Sequence, residues 1–136
     1  KGFGPHLMLD LNECNREALE SLDLVFEILN NLPEKVGMTK ITQPYVFRYN
    51  GVVPEDWGIT GMVIIAESHI SIHTFPEKKY CFIDLFSCKC FDMEKAKKFL
   101  IKAFGSKKAT VNFVARGLDF ERSAVPNVPL AKACRV

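Results

Sequence analysis

Three apolar runs stand almost end to end in the middle of the chain: residues 60–66 (TGMVIIA), 69–75 (HISIHTF) and 80–87 (YCFIDLFS). They are short, rich in β-branched and aromatic residues, and separated by a few residues only, so each reads as a strand. Strands this close in sequence pair antiparallel, because a parallel pair needs a long crossover. The middle run alternates, with His69, Ser71 and His73 on one face and Ile70 and Ile72 on the other. One side of that strand therefore faces a core and the other presents polar, titratable groups.

The flanks supply the second layer. Residues 6–11 read as a first strand. Asn15 caps a helix to about Leu32, with Leu19, Leu22, Val25, Phe26 and Leu29 at spacings of three and four, and Pro33 and Gly37 end it. Residues 38–49 read as a strand interrupted at Pro44, and 50–58 as a loop. Asp92 caps a helix to about Phe104, stopped by Gly105, and 109–115 form a last strand. The tail from Arg122 carries Pro126 and Pro129 and no period, as loops do. The fold class that follows is α+β, a two-layer sandwich of an antiparallel sheet with helices on one face. The 136 residues fit a single domain, 1–136.

Composition excludes several functions. A net charge of +2 without a basic stripe argues against nucleic-acid binding. No run of about 18 apolar residues exists, so no membrane span is expected. The five cysteines are odd in number and lack the spacing of a disulfide framework, and read as reduced thiols of a cytoplasmic protein. Cys88 and Cys90 with His69 and His73 do not have zinc-site spacing, so no metal is expected.

Residues 66–77 (AESHISIHTFPE) carry the chemistry. The Ser68 hydroxyl lies beside the Glu67 carbonyl. Attack there shifts the acyl group from nitrogen to oxygen, and the ester makes the Ser68 side-chain oxygen a leaving group. Removal of the Ser68 α-proton then eliminates a fragment ending at Glu67. Hydrolysis of the remaining dehydroalanine consumes one water, releases one ammonia and leaves a pyruvoyl group at position 68. That ketone condenses with amines and serves as an electron sink without pyridoxal phosphate. The Glu-Ser dipeptide alone does not establish this, since most such pairs never cleave.

The surrounding residues carry more. GPHLMLDLNEC (4–14), GITGMVIIAESHISIHTFPE (58–77) and YCFIDLFSC (80–88) closely resemble the prokaryotic pyruvoyl-dependent S-adenosylmethionine decarboxylases, a likeness spanning about residues 4–117. The resemblance implies cleavage at Glu67–Ser68 into 1–67 and 68–136, with Ser68 as the source of the pyruvoyl cofactor. It implies that His73 assists processing and that Cys88 is a catalytic acid. A serine of the family that helps processing is Thr60 here, which keeps the hydroxyl. Glu77 matches a carboxylate that holds the ribose hydroxyls, and Glu13 a second acid toward the substrate. Tyr49 is the chosen adenine-stacking residue, with Phe47 and Trp57 as alternatives, because loop 50–58 is longer than the family's form.

Ser68 and His73 are five apart and face opposite sides of a straight strand. The family resolves this with a homodimer, a four-layer αββα sandwich with shared active sites. Ser68 and Cys88 come from one protomer; Thr60, His73 and Glu77 come from the other. The expected activity is decarboxylation of S-adenosylmethionine, a small-molecule substrate, supplying the aminopropyl donor for polyamine (spermidine) synthesis. Two rivals stand at this point. One keeps the chemistry with arginine or ornithine as substrate; the other is an uncleaved, non-catalytic regulatory homologue. A buried, inert thiol is the competing reading of Cys88, and a hydrogen-bonded strand histidine that of His69.

Overall fold

A computed structural model describes residues 2–121. The tail expected to be loop, and Cys134 with it, lie outside that range. Six strands form one antiparallel sheet: β1 (Gly4–Asn12), β2 (Tyr45–Tyr49), β3 (Gly58–Ile65), β4 (Ser68–Phe75), β5 (Tyr80–Phe86) and β6 (Lys108–Arg116), in the order β2-β3-β4-β5-β1-β6. Three helices, α1 (Arg16–Glu20), α2 (Leu22–Lys35) and α3 (Met93–Phe104), complete the described residues, with short 3₁₀ turns at Pro54–Asp56 and Pro76–Lys78.

The helices share one face. Leu7, Leu9 and Leu11 of β1, Ile59, Val63 and Ile65 of β3, Ile70 and Ile72 of β4 and Ile83 and Leu85 of β5 are buried there. Val25, Leu29 and Leu32 of α2 and Ala96, Leu100 and Phe104 of α3 join the same core. Each fully buried Leu or Ile contributes on the order of 1.5–3 kcal/mol relative to exposure. The other sheet face has no helix over it among the described residues. Tyr45 (54% exposed), Phe47 (61%), Met62, Ile64, Phe82 and Val114 stand on that open face.

The α+β architecture is as expected, but the first helix is not continuous. Ser21 takes an extended conformation (φ −87°, ψ 105°) and its hydroxyl accepts the Leu24 N–H at 3.0 Å. A serine that caps the next helix interrupts the one before it. The helix also runs past Pro33 to Lys35. It ends where Gly37 takes φ +84° and the Met38 N–H bonds back to the Pro33 carbonyl at 2.8 Å. Pro33 thus sits in the last turn, where its carbonyl serves the cap. The expected strand 38–49 shrinks to Tyr45–Tyr49 with a lone bridge from Lys40 to Ile65, since Pro44 has no N–H to give a ladder. The Asp92 cap (Lys95 N–H to its carboxylate, 3.0 Å) and the Gly105 stop stand as expected.

Cys14 and Cys81 are buried, unbridged thiols in the core; the contact with Cys14, then burial, pushes Cys81 above the ordinary thiol range. Among the described residues no helix is long and apolar enough to cross a membrane.

One buried hydroxyl joins the two layers at the end of the sheet. Thr74 Oγ1 accepts the Ile59 N–H of β3 (2.8 Å) and donates to the Leu19 carbonyl of α1 (2.8 Å), at 3% exposure. Thr74→Val keeps the shape and strands both partners. It should lower stability by about 2–4 kcal/mol, read as a lower urea midpoint at unchanged slope.

Candidate active site

Residues Ala66 and Glu67 make the two-residue turn of the β3–β4 hairpin, between the paired Ile65 and Ser68. The Ala66–Glu67 peptide is cis. Ser68 Oγ donates to the Glu67 carbonyl oxygen at 2.6 Å. The hydroxyl is thus held beside the carbonyl group it would attack, as close approach of reacting groups requires. Cys88 follows β5 and reaches the same turn: its Sγ accepts the Glu67 N–H at 3.3 Å and donates to the Ala66 carbonyl at 3.5 Å.

The placement of that thiol depends on β1. A side chain at Gly4 would put its Cβ 1.8 Å from the Ser87 carbonyl oxygen, so only glycine lets β1 lie against the residue before Cys88. The Ser87 N–H bonds to the Pro5 carbonyl of the same strand, β1, at 3.0 Å and fixes the exit of β5.

A second group forms at the opposite end of β4. Thr60 and His73 are cross-strand partners, and Thr60 Oγ1 lies 3.2 Å from His73 Nδ1. Phe47 of β2 pairs with Thr60, and Tyr49 pairs with Gly58 one step further out. These residues share the open face. Glu77 lies in the turn after β4, where its Oε1 accepts from Arg16 (2.7 Å) and from the Trp57 indole N–H (3.1 Å). Trp57 first, then Arg16, holds the Glu77 carboxyl below its ordinary range, because both bonds favour the charged form.

One protomer does not bring these two groups together. Five residues of strand separate Ser68 from His73 along β4, about 16 Å at the usual rise. Glu67, Ser68 and Cys88 therefore form one group and Thr60 and His73 another, with Glu77 in the turn four residues after His73. Glu13 is placed elsewhere: it has φ +51° after β1 and lines a groove of about 560 Å³ with Lys78, Lys79 and Lys107, which Glu77 does not border. Among the described residues no three His, Cys, Asp or Glu side chains gather as a metal site would need.

Arg16 is the site neighbour that the sequence did not reveal. It is 61 residues from Glu77, and its only visible signal was an i,i+4 pairing with Glu20. His6 pairs with Asp84 at 2.9 Å on the open face. His69 stands with its ring 5.8 Å from Phe86.

The profile of the family described as S-adenosylmethionine decarboxylase matches residues 5–117. An S-adenosylmethionine decarboxylase proenzyme of Clostridium botulinum (strain Loch Maree / Type A3) is 39% identical over 118 residues, 86% of this chain and 97% of that protein. The proenzyme of that name from Pyrococcus furiosus is 34% identical over 122 residues, 89% of this chain and 84% of that one. Among solved structures, the adenosylmethionine decarboxylase of Aquifex aeolicus VF5 superposes with a TM-score of 0.74 at 26% identity, covering 92% of this chain and 99% of its own.

Proposed function

The chain belongs to the S-adenosylmethionine decarboxylase family and is a decarboxylase of S-adenosylmethionine, and we propose that it makes its own pyruvoyl group by cutting the Glu67–Ser68 bond. Family membership favours this substrate over arginine or ornithine, and favours an enzyme over an uncleaved regulatory homologue. The observation that carries the self-processing proposal is the 2.6 Å bond from the Ser68 hydroxyl to the Glu67 carbonyl, inside a tight turn that Cys88 also touches.

The residues divide the work. Ser68 Oγ attacks the Glu67 carbonyl carbon, and the acyl group moves from nitrogen to oxygen. Thr60 and His73 form a hydroxyl–imidazole pair suited to passing protons, with His73 receiving the Ser68 α-proton during elimination. The ketone left at position 68 supplies the electron sink for loss of carbon dioxide. Cys88, next to that position, delivers a proton to the substrate's α-carbon as general acid. Glu77 accepts a ribose hydroxyl and Tyr49 stacks on the adenine, while Glu13, set apart in its own groove, is left without a substrate role. The product is the aminopropyl donor of polyamine synthesis, and the proposed location is the cytoplasm.

The two half-sites meet if two protomers pair through their open faces. A two-fold axis across the sheets sets the hairpin end of one protomer against the Thr60–His73 end of its partner. The support is the open face itself, where large apolar residues from Tyr45 to Val114 stand 41–61% exposed. Monomers rarely leave so many together. The proposed assembly is the four-layer αββα homodimer with shared active sites.

The test uses purified protein, intact mass and carboxyl-labelled substrates. Fragments ending at Glu67 and beginning at a keto-terminated residue 68 are expected. Labelled carbon dioxide should come from S-adenosylmethionine, at a rate about 100-fold or more above that from arginine or ornithine. A single uncleaved species after long incubation, with no labelled gas, overturns the proposal.

A further inference from the structure

The contacts around Glu77 exceed what a surface carboxylate needs. Two donors from distant parts of the chain, Arg16 at the start of α1 and Trp57 at the end of loop 50–58, both end on Oε1. Oε2 takes no hydrogen bond among the described residues. Each donor is itself held. Arg16 Nε bonds Glu20 at 2.7 Å, which leaves its terminal nitrogen to reach Glu77. The Trp57 ring has the Arg48 guanidinium over one face, 4.4 Å from its centroid, while its N–H edge reaches Glu77. A carboxylate gripped on one oxygen by two fixed donors has a set orientation and an open second oxygen. It is also kept ionised, the form that accepts a hydroxyl proton.

We propose that Arg16 and Trp57 are positioning residues that orient Glu77, presenting Oε2 to one hydroxyl of the substrate's ribose. This rests on the reading of Glu77 as the ribose-binding carboxylate. The ordinary alternative is an exposed ion pair with no consequence for binding, which is the usual fate of such pairs. Convergence on a single oxygen, the restraint on Trp57 and the position in the turn directly after β4, the strand that carries His73, favour the proposal. Trp57 gives the long loop a purpose: it returns to the sheet at the residue that clamps the carboxylate.

The experiment compares fully cleaved Glu77→Gln, Arg16→Ala, Arg16→Lys, Trp57→Phe and the double variant Arg16→Ala/Glu77→Gln. Cleavage is scored first on a denaturing gel and should match the parent chain. Arg16→Ala and Trp57→Phe should raise KM by about 3- to 20-fold with kcat within about 2-fold, and Arg16→Lys should recover part of the loss. Because both donors lower the Glu77 pKa, their removal should move the acid limb of kcat/KM to higher pH. Adding Arg16→Ala to Glu77→Gln should cost less than about 2-fold, since the arginine acts through the carboxylate. If Glu77→Gln leaves KM unchanged, the ribose assignment of Glu77 is wrong and the inference goes with it. If Glu77→Gln raises KM but Arg16→Ala and Trp57→Phe do not, the positioning role alone is overturned. Trp57→Phe keeps the ring and its stacking, so it decides the matter even if Arg16→Ala folds poorly.

Discussion

Ser68→Ala stays in one piece and releases no labelled carbon dioxide. Alanine has no oxygen to attack the Glu67 carbonyl, so neither the ester nor the ketone at residue 68 arises. The rate should fall to background, a loss of at least about 10⁴-fold, because the group supplying the electron sink is never made. Circular dichroism should match the parent chain, as the hydroxyl is exposed and makes only a local bond. The same variant tests the division between protomers. His73→Ala alone should also stay whole. Co-expressed with Ser68→Ala, it forms hybrids in which the intact serine of one chain faces the intact histidine of the other. In those hybrids the His73→Ala chain should be cut. If it stays whole in isolated hybrids while the parent chain is cut, the shared-site arrangement is wrong.

Cys88→Ala should part processing from turnover. The Ser68–Glu67 contact does not involve the thiol, so the chain should still cut, more slowly for want of the Sγ bond to the Glu67 N–H. Turnover should drop about 10²- to 10⁴-fold, the usual worth of a placed general acid. Protonation should also go astray, giving product with the proton on the wrong carbon and an enzyme that inactivates as it works. Mass spectrometry of the downstream fragment before and after turnover reads this directly. A Cys88→Ala enzyme with parental kcat and unchanged terminus would make the cysteine an ordinary buried thiol.

The sheet was legible because its signals are local. Alternation in β4, short gaps between the middle strands and a helix bounded by Asp92 and Gly105 each depend on a few neighbours. The first helix misled for an equally local reason: the apolar period runs through Ser21 without a break, and only the side-chain cap interrupts it. At the site, the proximity of Ser68 and Glu67 follows from chain connectivity, and Cys88 comes near because β5 pairs with β4. The grip on Glu77 was out of reach. It depends on how α1 is set over the end of the sheet and where an eight-residue loop lands, and neither leaves a periodic trace.

The strand order has a consequence for the proposed cut at Glu67–Ser68. The upstream piece owns β1, β2 and β3, and the downstream piece owns β4, β5 and β6. β1 is threaded between β5 and β6, so one piece is inserted into the other as a slat in a frame. Cutting the β3–β4 turn removes a covalent link without freeing anything. The halves can part only by melting the sheet, and once parted they must find each other again by collision. The proposed cut would thus turn a self-contained folding unit into an obligate pair, which, once pulled apart, would recover its native form at a rate set by concentration.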